Sequence, residues 1–444
     1  MNEKILDLIS QGQYTKVKNE LTKYNEADIA HLLREVDDKN LLILFRLLPK
    51  DLAVEVFAHL DTDDQKHIIE STSDEEVIAI VDELFLDDTV DLLEEMPANI
   101  VKKILKNTDQ KTRNLINQYL KYPEDSAGSL MTIEYADLKK DMTVKEALTY
   151  IRANGVDKET INICYVIDQE RILEGVVSLR TLILADENAK IQDLMEKIVI
   201  SIHTHSDQEE VARLFQKYDY YVMPVVDGEN RLVGIITVDD ILDVIQQEAT
   251  EDMQRMAATT PDERPYLKTS NWILAKNRLP WLLFLMVSAT FTGGIIDHYE
   301  GALQSVLILA TFIPMIMDTG GNSGSQSSAL IIRGIALDEI KPRDFKRVVG
   351  KELVISSMAG LILSLTNFAK LMLINKVDLE IGLTVSITLF LTVVLSKVVG
   401  SVLPLIAKKM KLDPALMAGP LITTIVDAFA LIIYFNIATL LLGL

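Results

Sequence analysis

The sequence predicts a multidomain chain: an all-α superhelical N-terminal domain (residues 1–125), an α+β tandem pair (126–190 and 191–243), a connecting helix with its linker (244–276), and an α-helical membrane domain with five spans (277–444). Three observations predict it. Charge divides the chain near residue 277, a twelve-residue period runs through residues 48–107, and five long apolar segments follow residue 277. A length of 444 residues leaves room for several domains.

The charge division narrows the function. Residues 1–276 hold 31 Lys and Arg against 54 Asp and Glu, and residues 277–444 hold 13 against 11, so the two parts carry −23 and +2 of the net −21. Phosphates repel an acidic surface, which excludes nucleic acid and an anionic membrane face as partners of the first part. Such a surface suits cations. The single cysteine, Cys164, allows no intrachain disulfide and suits a reducing compartment. In the apolar run "INICYVI" it reads as a core thiol. The start "MNEKILDLIS" has no basic stretch followed by an apolar one, so no signal peptide is expected.

In residues 48–107 the segments "LPKDLAVEVFAH", "LDTDDQKHIIES", "TSDEEVIAIVDE", "LFLDDTVDLLEE" and "MPANIVKKILKN" each open on a breaker or cap and continue as a short amphipathic helix. Ser73 and Glu76 have the spacing of a capping box. Helices this short are unstable alone, so they are expected to stack as a superhelix.

A second repeat follows. Residues 129–183, "SLMT…MTVKEALTYI…CYVIDQERILEGVVSLRTLI", align with residues 193–242, "DLME…SDQEEVARLF…MPVVDGENRLVGIITVDDIL". Each copy reads as helix, strand, turn, strand and helix. The pair resembles tandem cystathionine-β-synthase (CBS) domains, whose signature G-h-h-[ST]-x-x-D is whole in the second copy as Gly234, Thr237 and Asp240. The first copy has Gly175 and Ser178 but Thr181 where the acid belongs. In CBS modules that acid binds the ribose of an adenosine nucleotide, so the resemblance implies ATP or a related nucleotide at Thr237 and Asp240.

The stretch "DDILDVIQQEATEDMQRM" (239–256) then leads toward the apolar segments, crowded by Asp240, Asp243, Glu248, Glu251 and Asp252. A charge run is ordinarily a solvated helix face. Here Lys and Arg are nearly absent, and "LFLDDTVDLLEE" upstream is acidic too, so two such faces would repel unless cations lay between them.

The five apolar segments lie at about 279–297, 301–336, 348–374, 382–407 and 415–442, each long enough to span a bilayer. Lys341, Arg343, Lys346, Arg347, Lys408, Lys409 and Lys411 fill two of the links, while the other two carry Lys376 alone. The bias predicts a multi-pass protein of the inner or plasma membrane with a cytoplasmic N-terminal region and the C-terminus outside. Asp427 sits near the middle of the fifth segment, where a carboxylate costs about 2.5 kcal/mol or more and marks function by default. Thr423 and Thr424 share its helix face, and Gly419 and Pro420 are expected to loosen the backbone and free carbonyl oxygens. In the second segment, "DTGGNSGSQSS" (318–328) interrupts the apolar run. Asp318, Asn322 and Gln326 follow at four-residue intervals, while Gly320, Gly321 and Gly324 admit a close neighbour. Such oxygen-only groups suit hard cations, Mg²⁺ above all, because it keeps its waters and can be held by its outer shell.

Together these parts resemble the MgtE family of magnesium channels and transporters over essentially the whole chain. "TGGNSGSQSSALIIRG", "DPALMAGPLITTIVDAFALIIYF" and "TVDDILDVIQQEATED" carry the likeness. It implies a homodimer with a pore between two membrane domains, Asp427 of each chain holding hydrated Mg²⁺. It also implies that the connecting helix acts as a plug closed by intracellular Mg²⁺. The implied sensor acids are Asp88 and Asp91 in the N-terminal domain, Glu209 and Asp219 in the second CBS module, and Asp240, Asp243, Glu248, Glu251 and Asp252 near the plug. The alternatives are a coupled transporter or exporter of Mg²⁺, Co²⁺ or Mn²⁺, and a membrane-tethered sensor that transports nothing. An enzyme is not expected, because no constellation of nucleophile, base and oxyanion donors stands out.

Overall fold

A computed structural model describes residues 2–81, 83–108, 110–262 and 264–443. The twelve-residue beat extends well beyond the stretch where the sequence displays it. Helices α1–α10 are Asn2–Ser10, Tyr14–Leu21, Glu26–Glu35, Asp38–Leu47, Lys50–Ala58, Thr62–Ser71, Asp74–Val81, Leu86–Glu95, Ala98–Asn107 and Gln110–Tyr119. Their first residues fall twelve apart throughout. Caps set the beat: the Asn25 and Asp37 side chains accept from the Ala27 and Asn40 amides at 3.0 and 3.3 Å, and the Ser73–Glu76 box forms as expected. Each helix spans ten residues or fewer, so stacking of Leu33, Leu44, Phe57, Ile68 and Val90 into one buried row supplies the stability that propensity cannot.

That row continues into the second α+β module through Ile202, Val211, Met223, Ile236 and Ile241. The first module has α11 (Ala127–Leu130), β1 (Tyr135–Leu138), α12 (Val144–Asn154), β2 (Thr160–Ile167), β3 (Leu173–Ser178) and α13 (Leu179–Leu184). The second has α14 (Ile191–Leu194), β4 (Ile202–His203), α15 (Gln208–Tyr218), β5 (Val222–Val226) and β6 (Leu232–Thr237). In each sheet the first strand pairs parallel with the second, and the second antiparallel with the third. Strands β1 and β4 escape the sequence reading, since four and two residues are too few to show alternation. The two hairpin turns are built alike. Asp168 Oδ1 accepts from the amides of Glu170 and Ile172 at 2.8 and 2.9 Å, and Asp227 Oδ1 from those of Glu229 and Arg231 at the same distances. A Cβ on the signature glycine Gly234 would lie 2.7 Å from the Thr132 carbonyl, and one on Gly175 2.8 Å from that of Glu196. Each module thus lays backbone across the other's third strand. Cys164 is fully buried, and burial pushes its thiol up to about 12, so it is the inert core group expected.

Helix α16 (Val238–Met256) continues from β6 without a break, and the chain divides into compact units of residues 1–245 and 246–444. The second unit holds α17 (Asn271–His298), α18 (Glu300–Ser305), α19 (Ile313–Ala336), α20 (Phe345–Lys370), α21 (Leu379–Lys409) and α22 (Gly419–Leu442). Among the described residues, four helices are long and apolar enough to cross a membrane: those within 271–298, 342–375, 379–409 and 414–442. The expected second span, 301–336, is not one helix. A 3₁₀ segment, Leu307–Phe312, separates α18 from α19, and Pro314 stands in the first turn of α19, where its missing N–H does no harm. The 24 residues of α19 reach about 36 Å, a membrane's depth, although its polar run keeps it outside the apolar four. A stacked pair, Tyr299 on Phe435 at 4.8 Å, and the bond from Tyr434 Oη to the Leu309 carbonyl at 2.9 Å tie the 299–312 segment to α22.

Candidate functional site

Within the second unit, α19 and α22 lie against each other because α19 has almost no side chains where they meet. A Cβ on Gly321 would stand 2.8 Å from Thr423 Cγ2, and one on Gly320 2.8 Å from Val426 Cγ1. On the other flank the approach is backbone to backbone: a Cβ on Gly400 of α21 would lie 2.2 Å from the Gly324 carbonyl. The glycines of "DTGGNSGSQSS" are therefore packing residues, as their spacing suggested, and they pack on both α21 and α22.

The polar members of that stretch divide by face. Ser323, Ser327 and Ser328 are buried, whereas Asp318, Asn322 and Gln326 form an exposed row at four-residue intervals. Asp427 is half-buried on α22, within electrostatic range of Asp318. Thr423 and Thr424 stand one turn before Asp427, and both hydroxyls donate to the Pro420 carbonyl, at 2.9 and 3.0 Å. Gly419 and Pro420 do not loosen a spanning helix. They begin it, after a 3₁₀ turn at Pro414–Met417, so the carbonyl expected to be free is already bonded.

The sequence reading passed over two charges. Glu352 of α20 and Lys397 of α21 are each 8% exposed. Ser327 of α19 stands between them, donating to Glu352 Oε2 at 2.8 Å, with Lys397 Nζ 3.5 Å from its oxygen. The next residue, Ser328, donates to the Met417 carbonyl at 2.9 Å. Four-residue spacing within one segment reveals a row such as 318, 322 and 326. No spacing links residues 327, 352 and 397.

Of the expected sensor acids, Asp88 and Asp240 come together in the first unit, and the cluster is larger than expected. Burial first, then Asp88 and Asp240, holds the Asp87 carboxyl well above the usual range, and burial raises Asp88 as well. Burial, then Asp239, Asp240 and Asp88, raises Glu159 to about 7; burial raises Asp240 to about 6 despite the hydrogen bond from Thr237. Glu134 acts on both Asp88 and Glu159. These are like charges at close quarters, a surface that binding of cations would relax. Asp91 and Asp243 are exposed on their helices. Glu209 lies elsewhere, paired with Arg213, and Asp219 caps α15 in a left-handed conformation. Glu248, Glu251 and Asp252 are half-buried on α16. Arg255, one turn beyond Glu251, bridges Glu251 and Asp413, so the cation-poor reading of this stretch does not hold at its end. Among the described residues no three of His, Cys, Asp and Glu converge to hold a metal ion.

The second CBS signature is closed on itself, the Thr237 hydroxyl donating to Asp240 Oδ2 at 2.7 Å. An open cleft of about 200 Å³ lies instead at the first copy's signature, lined by Ser178, Thr181, Glu196, Asp219, Tyr220 and Tyr221.

Comparison with known proteins places these features together. Residues 313–437 match the divalent cation transporter domain called MgtE, 24–125 the MgtE intracellular N domain, and 127–188 and 191–247 CBS domains. The chain is 36% identical to the magnesium transporter MgtE of Thermus thermophilus, over 98% of this chain and 97% of that one. It is 34% identical to the magnesium transporter MgtE of Bacillus subtilis, over 98% and 96%. Among solved structures it resembles the cytosolic domain of the Mg²⁺ channel MgtE in complex with ATP, with 38% identity and a TM-score of 0.53 over 55% of this chain and all of that one. It also resembles the soluble part of a magnesium transporter, with 30% identity and a TM-score of 0.52 over 56% and 98%.

Proposed function

The chain belongs to the MgtE family of magnesium transporters, and from that premise we propose that it is a Mg²⁺-selective channel, importing Mg²⁺ down its electrochemical gradient and closing when intracellular Mg²⁺ rises. One observation carries the reading: the exposed row Asp318, Asn322 and Gln326 on an otherwise apolar bundle, beside half-buried Asp427. Lipid cannot satisfy such a row, so it must face water or a second copy. Two copies meeting along it would enclose a path lined by oxygens, in which Asp427 of each copy holds Mg²⁺ through its waters. A homodimer is accordingly part of the proposal, as is counting α19 as the fifth span. Five spans with Lys- and Arg-rich links at 337–347 and 408–413 then leave the N-terminal region in the cytoplasm and the C-terminus outside the inner or plasma membrane.

Gating follows from the acids. Mg²⁺ bound among Asp88, Asp240 and their neighbours lowers the repulsion that a −23 region otherwise carries. A conformation that gathers these acids gains from each bound ion, and one that separates them does not, so Mg²⁺ selects the gathered, closed form. Asp91, Glu209, Asp219, Asp243, Glu248, Glu251 and Asp252 complete the proposed sensor. An adenosine nucleotide at the CBS pair belongs to the same reading; the cleft beside Ser178 and Thr181 offers it more room than the closed Thr237–Asp240 motif.

The test is Asp427→Ala in a strain that cannot take up magnesium. The variant should assemble in the membrane and fail to restore growth at low Mg²⁺. Restored growth at the wild-type level would refute the ion path.

A further inference from the structure

We propose that Glu352, Ser327 and Lys397 form a charge-paired strut that sets the rotation and depth of α19, and thereby the ion selectivity of the path, without lining it. The inference rests on the ion-path reading above.

An isolated charge inside a membrane protein's span is costly, and charges kept there are paired or functional. Here one cation and one anion are buried on different helices, and a hydroxyl on a third joins them. Its polarity is consistent: the Lys397 ammonium donates, Glu352 Oε2 accepts, and the Ser327 hydroxyl does both. The strut thus holds three helices by one residue of α19.

That residue's position gives the strut its consequence. Ser327 adjoins Gln326 in sequence but lies on the buried side of α19, away from the exposed row of Asp318, Asn322 and Gln326. The rest of that buried side holds the helix by steric fit rather than by directional bonds. Gly320, Gly321 and Gly324 present bare backbone, and Ile331 and Ile335 make non-directional apolar contact. Directional bonds come from Ser327 to Glu352 and Lys397 and from Ser328 to the Met417 carbonyl. A helix turned by even a small angle about these bonds moves Asn322 and Gln326 relative to Asp427. Selection among hydrated cations depends on such spacing, because the outer waters must fit between fixed oxygens.

Ser327→Ala in the full-length protein, reconstituted and recorded electrically, should conduct with about a fivefold lower Mg²⁺-over-Na⁺ permeability ratio, the order expected from loss of one buried hydrogen bond. Ser327→Thr, which keeps the hydroxyl, should restore the ratio. Glu352→Asp, shorter by one methylene, should shift it in the same sense as Ser327→Ala. The single variant Glu352→Gln strands the Lys397 charge and should shift it further than the neutral pair Glu352→Gln with Lys397→Gln. Asp427→Asn serves as the control: wild-type Mg²⁺ current from it would mean that the ion-path reading itself has failed. With current lost in Asp427→Asn, wild-type selectivity in Ser327→Ala or, should that variant not assemble, in Glu352→Asp would overturn the strut.

Discussion

Replacing Glu159 with Gln removes one charge from the acid cluster of the first unit at almost constant size. Burial, with Asp239, Asp240 and Asp88 adding to it, raises this carboxyl from 4.5 to about 7. Such a rise alone separates charged and neutral forms by about 3 kcal/mol. The side chain is only half-buried, so solvent screening leaves ~1–2 kcal/mol. A carboxyl raised in the folded state above its unfolded value costs stability once ionised. The penalty is absent below about 4.5 and grows as pH rises through about 7. In the full-length protein stripped of divalent ions, Glu159→Gln should therefore slow amide hydrogen exchange in α8 and β6 by about 5- to 30-fold at pH 7.5. At pH 4, with exchange corrected for its intrinsic rate, the difference should nearly vanish. Millimolar Mg²⁺ should also narrow it, because the ion relieves in the wild type the repulsion that the substitution removes. Equal or faster exchange in the variant at pH 7.5 without Mg²⁺ would refute the reasoning.

Other consequences lie in the membrane unit. Gly321→Val places a branched side chain where a Cβ already stands 2.8 Å from Thr423, so α19 and α22 must part, at about 1–3 kcal/mol. Mg²⁺ uptake should fall sharply while Gly350→Ala, where a Cβ meets nothing within 4 Å, leaves it intact; equal uptake by the two variants would contradict the packing role. Arg255→Ala releases the end of α16 from Asp413, a partly exposed pair worth about 1 kcal/mol or less. The Mg²⁺ concentration that half-closes the channel should rise by up to about fivefold, read from current against cytosolic Mg²⁺. A fall in that concentration would reverse the assigned role.

The parts of the molecule that repeat or contrast strongly were legible in the sequence. The breakers and caps of 48–107 announced a superhelix, because a period of twelve cannot arise from unrelated short helices, and the structure extends the beat to α1 and α10. Asp427 stood out as a lone carboxylate in an apolar span, and the glycines of 318–328 as a close-packing face. What sequence did not reveal depends on distant residues meeting. Glu352 and Lys397 are 45 residues apart on separate spans, Glu352 near the start of its helix and Lys397 in the interior of its own, and no spacing within either span pairs them. Arg255 and Asp413 meet across 158 residues of chain, which no local pattern shows. The break at 307–312 hid in an apolar run, since hydropathy registers transfer into lipid and is blind to where a helix starts. Pro420 misled for a related reason: the same residue kinks a helix from within and begins one at its first turn.

The central claim, a Mg²⁺ path closed by Mg²⁺ itself, is tested most directly by current through single proteins in excised patches as cytosolic Mg²⁺ is varied. The account predicts unitary openings at micromolar Mg²⁺ that cease at millimolar Mg²⁺. Neutralising Asp240, Asp243, Glu248, Glu251 and Asp252 together should leave openings that persist at both. Wild-type current indifferent to cytosolic Mg²⁺, or full closure of the neutralised variant at millimolar Mg²⁺, would contradict it.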